Sequence, residues 1–360
     1  MVDEIIPKTM KAVLVQPEKK VAVMDYPVPE PGPDDVLVKV VATAQNPTDW
    51  KFVDFVQKAG TVLGVDFSGT VVAAGSNVTH LKLGTHVAGF VKGGALPDSG
   101  AYAEYVKTPG ELVWPVPEGT LGFAEAATLG FVLILAVQAL YHPTRLALAE
   151  LPSKLQQGSE EWVFVYGGST SVGQYAIQLL RLSGYKSATV CSSGHFDLVK
   201  SFGADVVVDR HAPDALQQIR DATGEKVNQR GADSASLQFT VGAMGMAGGR
   251  VISLVGQDPA KLKEAMRQGV EVKFTLIYTA LGGPAALAAP PSDCAHMAAF
   301  LRKVPGLVSA GSIKPNRVKI WEGPGGKKGL EGVESALQWM RDDKVRAEKS
   351  FILFATQTLE

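Results

Sequence analysis

The sequence predicts an α/β protein in which a β-rich module precedes a doubly wound parallel sheet. Three observations carry that expectation. Residues 1–122 are strand-like runs broken at short intervals by Gly and Pro, the punctuation of turns rather than of helices. From Trp162 onward, apolar strand-like runs alternate with helical periods, the pattern of parallel βα units. A length of 360 residues with 46% hydrophobic and 20% charged residues suffices for two domains, each with a core.

The elements follow in order. Met10–Gln16 is a short apolar run, and Tyr26–Pro33 carries four prolines in eight residues, which excludes helix and central strand because Pro donates no ladder hydrogen bond. Asp35–Ala44 alternates with Val36, Val38 and Val40 on one side, as a half-buried strand does. Val62–Ser76 reads as two β-rich pieces, and Gly84–Phe90 and Tyr102–Val106 as further strands around the loop Lys92–Gly100. Together they suggest a compact barrel. Phe123–Tyr141 is a helical pattern, and Pro143–Gly158 a connection. Strand and helix then alternate as Trp162–Tyr166, Val172–Ser183, Ser187–Cys191, Asp197–Phe202 and Asp205–Val208. Later units fall at Ala215–Thr223, Gly231–Leu237, Phe239–Met246 and Arg250–Val255, before an Ala/Pro/Gly-rich loop at Gly282–Pro291. The tail returns to strands at Val318–Trp321 and Lys349–Phe354 around a helix at Gly332–Arg341. It is expected to rejoin the first module, so the domains are 1–122 with 300–360, and 123–299.

Composition narrows the function. Lys and Arg total 35 against 36 Asp and Glu, a net charge of −1, which leaves no electrostatic footprint for duplex nucleic acid. Cys191 and Cys294 are the only cysteines, too few for a disulfide framework or a cysteine-built metal site. Met1–Lys11 lacks the apolar core of a signal peptide. The apolar stretch Ala126–Tyr141 is interrupted by Gly130 and Gln138, and is shorter than the ~20 residues that span a bilayer. A soluble, cytoplasmic protein is expected, with no membrane or nucleic-acid partner.

The strongest chemical signal is the run from Trp162 to Gly173. A buried-type strand stops at Tyr166, the small-residue turn Gly167-Gly168-Ser169-Thr170-Ser171 follows, and Val172 opens an amphipathic helix. Small residues let a diphosphate approach the backbone, and the helix N-terminus supplies N–H donors and a positive dipole end. Gly168, Ser169, Thr170, Ser171 and Val172 are therefore candidate cofactor contacts, the bland alternative being an ordinary βα turn. Cofactor choice is read after the second strand, where an NAD-preferring site usually carries an acid for the ribose 2′-hydroxyl. Here Cys191 is followed by Ser192-Ser193-Gly194-His195 with no carboxylate before Asp197. Hydroxyls and an imidazole accommodate a 2′-phosphate that an acid would repel, and Arg210 after the third strand is placed to join them. NADPH is favoured over NADH. The competing reading makes Ser192 and Ser193 helix caps and Arg210 a solvated charge. Cys191 reads as a small core residue.

With these residues in view, the chain resembles the medium-chain dehydrogenase/reductase superfamily. The resemblance runs through Val36–Val40, Asn46-Pro47-Thr48-Asp49, Gly64-Val65-Asp66-Phe67-Ser68-Gly69, Gly84-Thr85-His86-Val87, Gly100–Tyr105, Gly203-Ala204-Asp205 and Gly248-Gly249. It implies a GroES-like catalytic domain built from both chain ends, an inserted Rossmann domain, and a cofactor in the cleft between them. The zinc alcohol dehydrogenases are set aside, because a Gly-His-Glu type segment is replaced by Gly64-Val65-Asp66 and no cysteine precedes Cys191. His80, His86, His142 and His296 show no metal-ligand spacing, so no metal is expected.

Val165–Thr170, Leu180–Tyr185 and Cys191-Ser192 further resemble the fungal trans-acting enoyl reductases that partner polyketide synthases. That resemblance implies phosphate contacts from Ser169–Val172 and 2′-phosphate contacts from Ser192–His195. It places Lys51 beside the Asn-Pro-x-Asp segment, facing cofactor and substrate, and Lys349 on a strand that closes over the cofactor. Asn46, Pro47, Asp49, Val255 and Gly256 complete the expected cofactor contacts. Two positions depart from the group: Leu135 stands where a Thr is usual, and Arg210 where relatives have Tyr.

The expected reaction moves hydride from NADPH to the β-carbon of an enone or enoyl thioester, small or carrier-bound. Lys51 is the first candidate to hold the developing enolate charge; Asn46 and Asp49 orient the loop through local hydrogen bonds. Trp50 and Tyr278 are possible pocket-lining aromatics. The alternatives are a quinone oxidoreductase-like enzyme and a non-catalytic NADPH-bound paralogue. Monomer and homodimer both stay open.

Overall fold

The computed structural model describes residues 5–150, 161–232, 237–256, 258–282 and 291–354. The chain forms two compact units, Met1–Phe131 with Ala280–Glu360, and Val132–Thr279. The divisions fall after Phe131 and Thr279, against expected ones after 122 and 299. Helix Pro291–Leu301 packs on the Gly110–Leu112 turn of the first unit, which a reading of local periodicity does not reveal.

The first unit begins with a hairpin, Thr9–Gln16 against Lys20–Pro27. Its turn sets Glu18 and Lys19 both at φ 59°. This is a conformation that Asn and Gly signal and that Glu-Lys does not, so the second strand was invisible in the sequence. A mainly antiparallel sheet follows in the order Val318–Ile320, Lys349–Leu353, Asp35–Ala44, Asp66–Ala74, His86–Phe90, Val113–Pro115. Tyr105–Pro109 pairs with the first half of Asp35–Ala44, and the C-terminal strand Lys349–Leu353 pairs with its last residues, Phe351 facing Ala44. Both faces of Asp35–Ala44 are buried. Val36, Val38 and Val40 pack with Phe67, Val71 and Val87, whereas Leu37 packs with Met10, Leu14 and Val62. Val62–Ser76 holds one strand rather than two; Val62 makes only an isolated bridge to Leu14.

The apolar run Phe123–Tyr141 is three pieces, helix Phe123–Ala126, a 3-10 turn Ala127–Leu129 and helix Phe131–Tyr141. It breaks at Gly130, whose φ −88° and ψ −109° are non-helical. A Cβ there would lie 2.2 Å from Asp66 Oδ1, so the chain must yield to that carboxylate. By length and composition the whole run would pass for a membrane span. Every residue from Val132 to Tyr141 is, however, buried within the protein.

The second unit is a six-stranded, wholly parallel sheet ordered Val206–Asp209, Lys186–Cys191, Trp162–Tyr166, Val227–Ala232, Gly249–Ser253, Val270–Phe274. Counted from its own first strand the order is 3-2-1-4-5-6, the doubly wound dinucleotide-binding topology. Its switch point lies between Trp162–Tyr166 and Val227–Ala232. The Val227–Ala232 strand begins four residues before the expected unit at Gly231–Leu237, because its segment Val227-Asn228-Gln229-Arg230 is polar and carries no strand signal. Pairing on both sides holds it. Residues 233–236 of that expected unit, 283–290 of the predicted loop and 151–160 around the predicted connection lie outside the described residues.

Gly69 allows the close pairing that brings Asp66 to its place. A Cβ on Gly69 would sit 2.0 Å from the Lys39 carbonyl oxygen, beside an irregularity in register between Val40 and Ala42. Gly69→Ala is expected to cost about 1–3 kcal/mol through forced separation of the strands. Urea denaturation checks this, and an unchanged midpoint would contradict the close packing.

Candidate functional site

In the second unit the strand Trp162–Tyr166 runs into a turn shaped by three glycines. Gly167 takes φ 78°, and the N–H groups of Gly167 and Gly168 both donate to the Val190 carbonyl at 3.1 Å. A Cβ on Gly168 would meet Thr189 Oγ1 at 2.5 Å, and one on Gly173 would meet the Gly167 carbonyl at 2.3 Å. The turn is thus pressed onto the next strand below and the helix above. Thr170 caps the helix Ser171–Leu182. Its Oγ1 donates to the Gly167 carbonyl at 2.8 Å and accepts from the Gly173 N–H at 3.1 Å. Buried Gln174 donates Nε2 to the Ser169 carbonyl at 2.8 Å. Helix geometry leaves the Ser171 and Val172 N–H groups without intrahelical acceptors, at the positive end of the dipole. Free N–H groups at a helix start favour an anion such as a diphosphate. Gly168–Val172, expected as cofactor contacts, all lie in this turn; Gly167 and Gly173 shape it too, and the Gly-x-x-x-x-x-Gly spacing was the available signal.

Ser192, half-buried at the end of Lys186–Cys191, precedes the short turn Ser193–His195 and makes no side-chain cap there. Helix Phe196–Ser201 likewise has no side-chain cap from His195. The capping alternative for Ser192 is therefore not realised. Asp209 pairs with Cys191 across the strands, so Arg210, whose N–H donates to the Cys191 carbonyl at 3.0 Å, lies alongside Ser192. The Asp209 carboxylate accepts the His211 N–H at 3.0 Å, and exposed Arg210 donates Nε to His211 Nε2 at 3.1 Å. The Ser192–His195 segment and Arg210 thus follow the ends of two neighbouring strands at one corner of the sheet. Cys191 is buried and its thiol is pushed up to about 11 by that burial and by Asp209, in keeping with a core role. Val255 and Gly256 follow the strand Gly249–Ser253; the Val255 carbonyl accepts from Ser253 Oγ at 2.8 Å. Leu135 is buried in helix Phe131–Tyr141, and Tyr278 is buried in its own unit.

In the first unit a buried polar cluster gathers residues far apart in sequence. Lys349 Nζ meets Asp66 Oδ2 at 2.6 Å with the two side chains 3% and 0% exposed. Asn46 Nδ2 donates to the same oxygen at 2.8 Å, and the Phe131 N–H donates to Asp66 Oδ1 at 2.5 Å. Asp49 Oδ2 accepts the Asn46 N–H at 2.7 Å and the Tyr102 hydroxyl at 2.8 Å. The Asp49 bond to Asn46 starts the short helix Pro47–Lys51. Burial pushes the Asp49 carboxyl up to about 7, against the lowering effect of those two donors. Burial and the neighbouring Asp49 hold the Tyr102 phenol well above its ordinary range. Asn46, Asp49 and Lys349, expected at the cofactor, bond to one another, to Tyr102 and to Asp66 inside the unit, while Asn46 Oδ1 and Asp49 Oδ1 are buried without a hydrogen-bond partner. Lys51 is exposed, its Nζ 5.7 Å from the centre of the half-buried Trp50 ring, and Pro47 is exposed at the first helical position. Asp66 and Tyr102, absent from the expected site, were legible only as a family segment. The His86 imidazole bonds Ser68 Oγ at 2.8 Å, and burial lowers it to about 4, so it is neutral at physiological pH.

Two predictions follow from the cluster's energetics. Lys349→Met leaves the Asp66 carboxylate buried without its counter-ion and is expected to cost about 3–5 kcal/mol, while adding Asp66→Asn recovers much of that loss. Equilibrium denaturation of both variants decides it; equal stability of the single variant and wild type would refute the buried pair. Asp49 titrates higher folded than unfolded, so the folded state holds the extra proton between about pH 4 and 7. Its stabilising effect is complete below that window and falls as pH rises through it, by on the order of 1 kcal/mol per pH unit. Asp49→Asn should flatten that slope, measured by thermal unfolding across the same window.

The comparisons with known proteins agree with this geometry. Residues 32–118 match the alcohol dehydrogenase GroES-like domain. A trans-enoyl reductase of Aspergillus niger is 36% identical over 350 residues, covering 92% of this chain and 94% of that protein. A trans-enoyl reductase of Macrophomina phaseolina is 36% identical over 346 residues, with coverage of 92% and 94%. Among solved structures, an alcohol dehydrogenase superfamily protein from Novosphingobium aromaticivorans shares the fold, with a TM-score of 0.77 at 22% identity over 96% of this chain and 100% of that one. Carrying a GroES-like unit and a six-stranded Rossmann sheet, and matching such relatives along almost its whole length, the chain belongs to the trans-enoyl reductase family.

Proposed function

We propose that this protein is an NADPH-dependent, zinc-independent enoyl reductase that delivers hydride to the β-carbon of an α,β-unsaturated thioester held by a polyketide synthase. The observation that carries the reading is the Thr170-capped helix start, where Ser171 and Val172 offer N–H groups and the first helical turn carries no acid to repel phosphate. The residues present fit the cofactor. Gly168 and Gly173 let the turn pack tightly on the neighbouring strand and on itself, which fixes its N–H groups in place, and Ser192 keeps a hydroxyl that no cap consumes. Ser169–Val172 would hold the diphosphate, and Ser192, Ser193, His195 and Arg210 the 2′-phosphate.

When bound, the reduced nicotinamide supplies the hydride. As the β-carbon accepts it, the double-bond electron pair moves toward the carbonyl oxygen, and the enolate then takes a proton at the α-carbon. The ammonium of Lys51 is the group we assign to holding the charge on that oxygen, since preorganised donors at developing charge are usually the largest catalytic contribution. Asn46 and Asp49 act from behind, fixing the helix Pro47–Lys51 on which Lys51 stands. The relatives' printed name, trans-enoyl reductase, supports reduction of an enoyl group.

Two substitutions test the reading. Ser192→Asp places an acid at the 2′-phosphate corner and is expected to weaken NADPH binding about tenfold or more while sparing NADH; fluorescence titration of both coenzymes measures it. Unchanged preference would overturn the assignment of that corner. Lys51→Met should lower kcat about 10²-fold on an enoyl thioester, with NADPH affinity retained. Full turnover by that variant would remove Lys51 from the reaction.

A further inference from the structure

Directly after Lys51 the chain widens into a π-helical turn, Phe52–Val56, closed by the Gln57 N–H donating to the Phe52 carbonyl at 2.9 Å. Such turns are rare and less favourable than α-helix, and they persist where surrounding contacts hold them. Here the contact is specific. Arg341, the last residue of helix Val333–Arg341, donates Nη2 to Asp54 Oδ1 at 2.8 Å and Nε to Asp54 Oδ2 at 3.1 Å. Both side chains are largely shielded, 20% and 17% exposed. The neighbouring Val53 is fully buried in the core formed with Val333, Ala336 and Leu337 of that same helix. A two-pronged guanidinium–carboxylate contact fixes orientation as well as distance.

Lys51 therefore stands between two anchors. Two residues before it, Asp49 is bound to Asn46 and Tyr102 in the interior. Three residues after it, Asp54 is bound by the Arg341 fork. Exposed Lys51 holds its Nζ 5.7 Å from the centre of the Trp50 ring, and the backbone of the turn sets its aim. We propose that Asp54 and Arg341 are a positioning pair for the reduction: their fork keeps the π-helical turn in place and with it the aim of Lys51. The inference rests on the role given to Lys51 above. A misplacement of about 1 Å at a reacting group can cost ~10²-fold in rate, so loosening this anchor should reach kcat without touching the substrate.

The test compares Arg341→Lys, Asp54→Asn and the exchanged pair Asp54→Arg/Arg341→Asp with wild type. Readouts are kcat and KM on an enoyl thioester, NADPH affinity, the thermal midpoint and hydrogen exchange at the Gln57 amide. Lysine keeps the charge but not the fork. Arg341→Lys and Asp54→Asn are expected to lower kcat about tenfold, leave NADPH affinity unchanged and speed exchange at Gln57, with partial recovery in the exchanged pair. If kcat per folded molecule stays at the wild-type value while only the midpoint drops, the pair is merely structural and the proposal fails. The Lys51→Met variant separates the two readings. Full activity in Lys51→Met defeats the premise, whereas an inactive Lys51→Met beside fully active Arg341→Lys defeats the positioning pair alone. Should one single variant fail to fold, the other and the exchanged pair carry the same comparison.

Discussion

A lysine from residue 349 and an aspartate from residue 66, pressed together with almost no solvent, impose the arrangement of the GroES-like unit. Removing two charges from water costs several kcal/mol per ion unless geometry and further hydrogen bonds offset it. The Asp66 carboxylate meets that demand by taking the ammonium, the Asn46 amide and the Phe131 N–H together. Each partner comes from a different stretch of chain. Satisfying one carboxylate therefore draws the C-terminal strand beside Asp35–Ala44, ends the helix run at Gly130 and places the Asn46–Asp49 turn. Lys51, the lysine we propose for the reaction, is carried on the helix that this turn begins.

The two units use opposite electrostatic strategies. The GroES-like unit buries ionisable groups and fixes them by mutual contact, which yields rigid placement at a desolvation cost. The nucleotide-binding unit presents backbone N–H groups, hydroxyls and a helix dipole at its turn, with Thr170 and Gln174 holding the backbone from within. Fixed dipoles receive a doubly charged diphosphate without a buried counter-charge. Asp209, which pairs with Cys191 beside the Ser192 corner, turns its carboxylate to the His211 N–H.

How much of this was legible in the sequence varies with the range of the interaction. The strand Trp162–Tyr166 and the helix Ala215–Thr223 were read at their observed bounds, because strand hydrophobicity and helical period are written in neighbouring residues. The hairpin strand Lys20–Pro27 escaped notice because its turn uses Glu18 and Lys19 in a left-handed conformation that their chemistry does not announce. The polar strand Val227–Ala232 escaped for a related reason: two neighbouring strands, not its own composition, make it a strand.

Local sequence by itself determined the α/β class, the glycine-rich turn after Tyr166 and the Ser192–His195 segment without a carboxylate, since each depends on residues adjacent along the chain. Tertiary structure decided what Asn46, Asp49 and Lys349 do. Their partners, Asp66 and Tyr102, lie 20 or more residues away in every case, and a charge chooses its counter-ion in space. The same distance in sequence hid the Asp54–Arg341 fork, whose existence depends on a helix from the far end of the chain folding back beside Lys51.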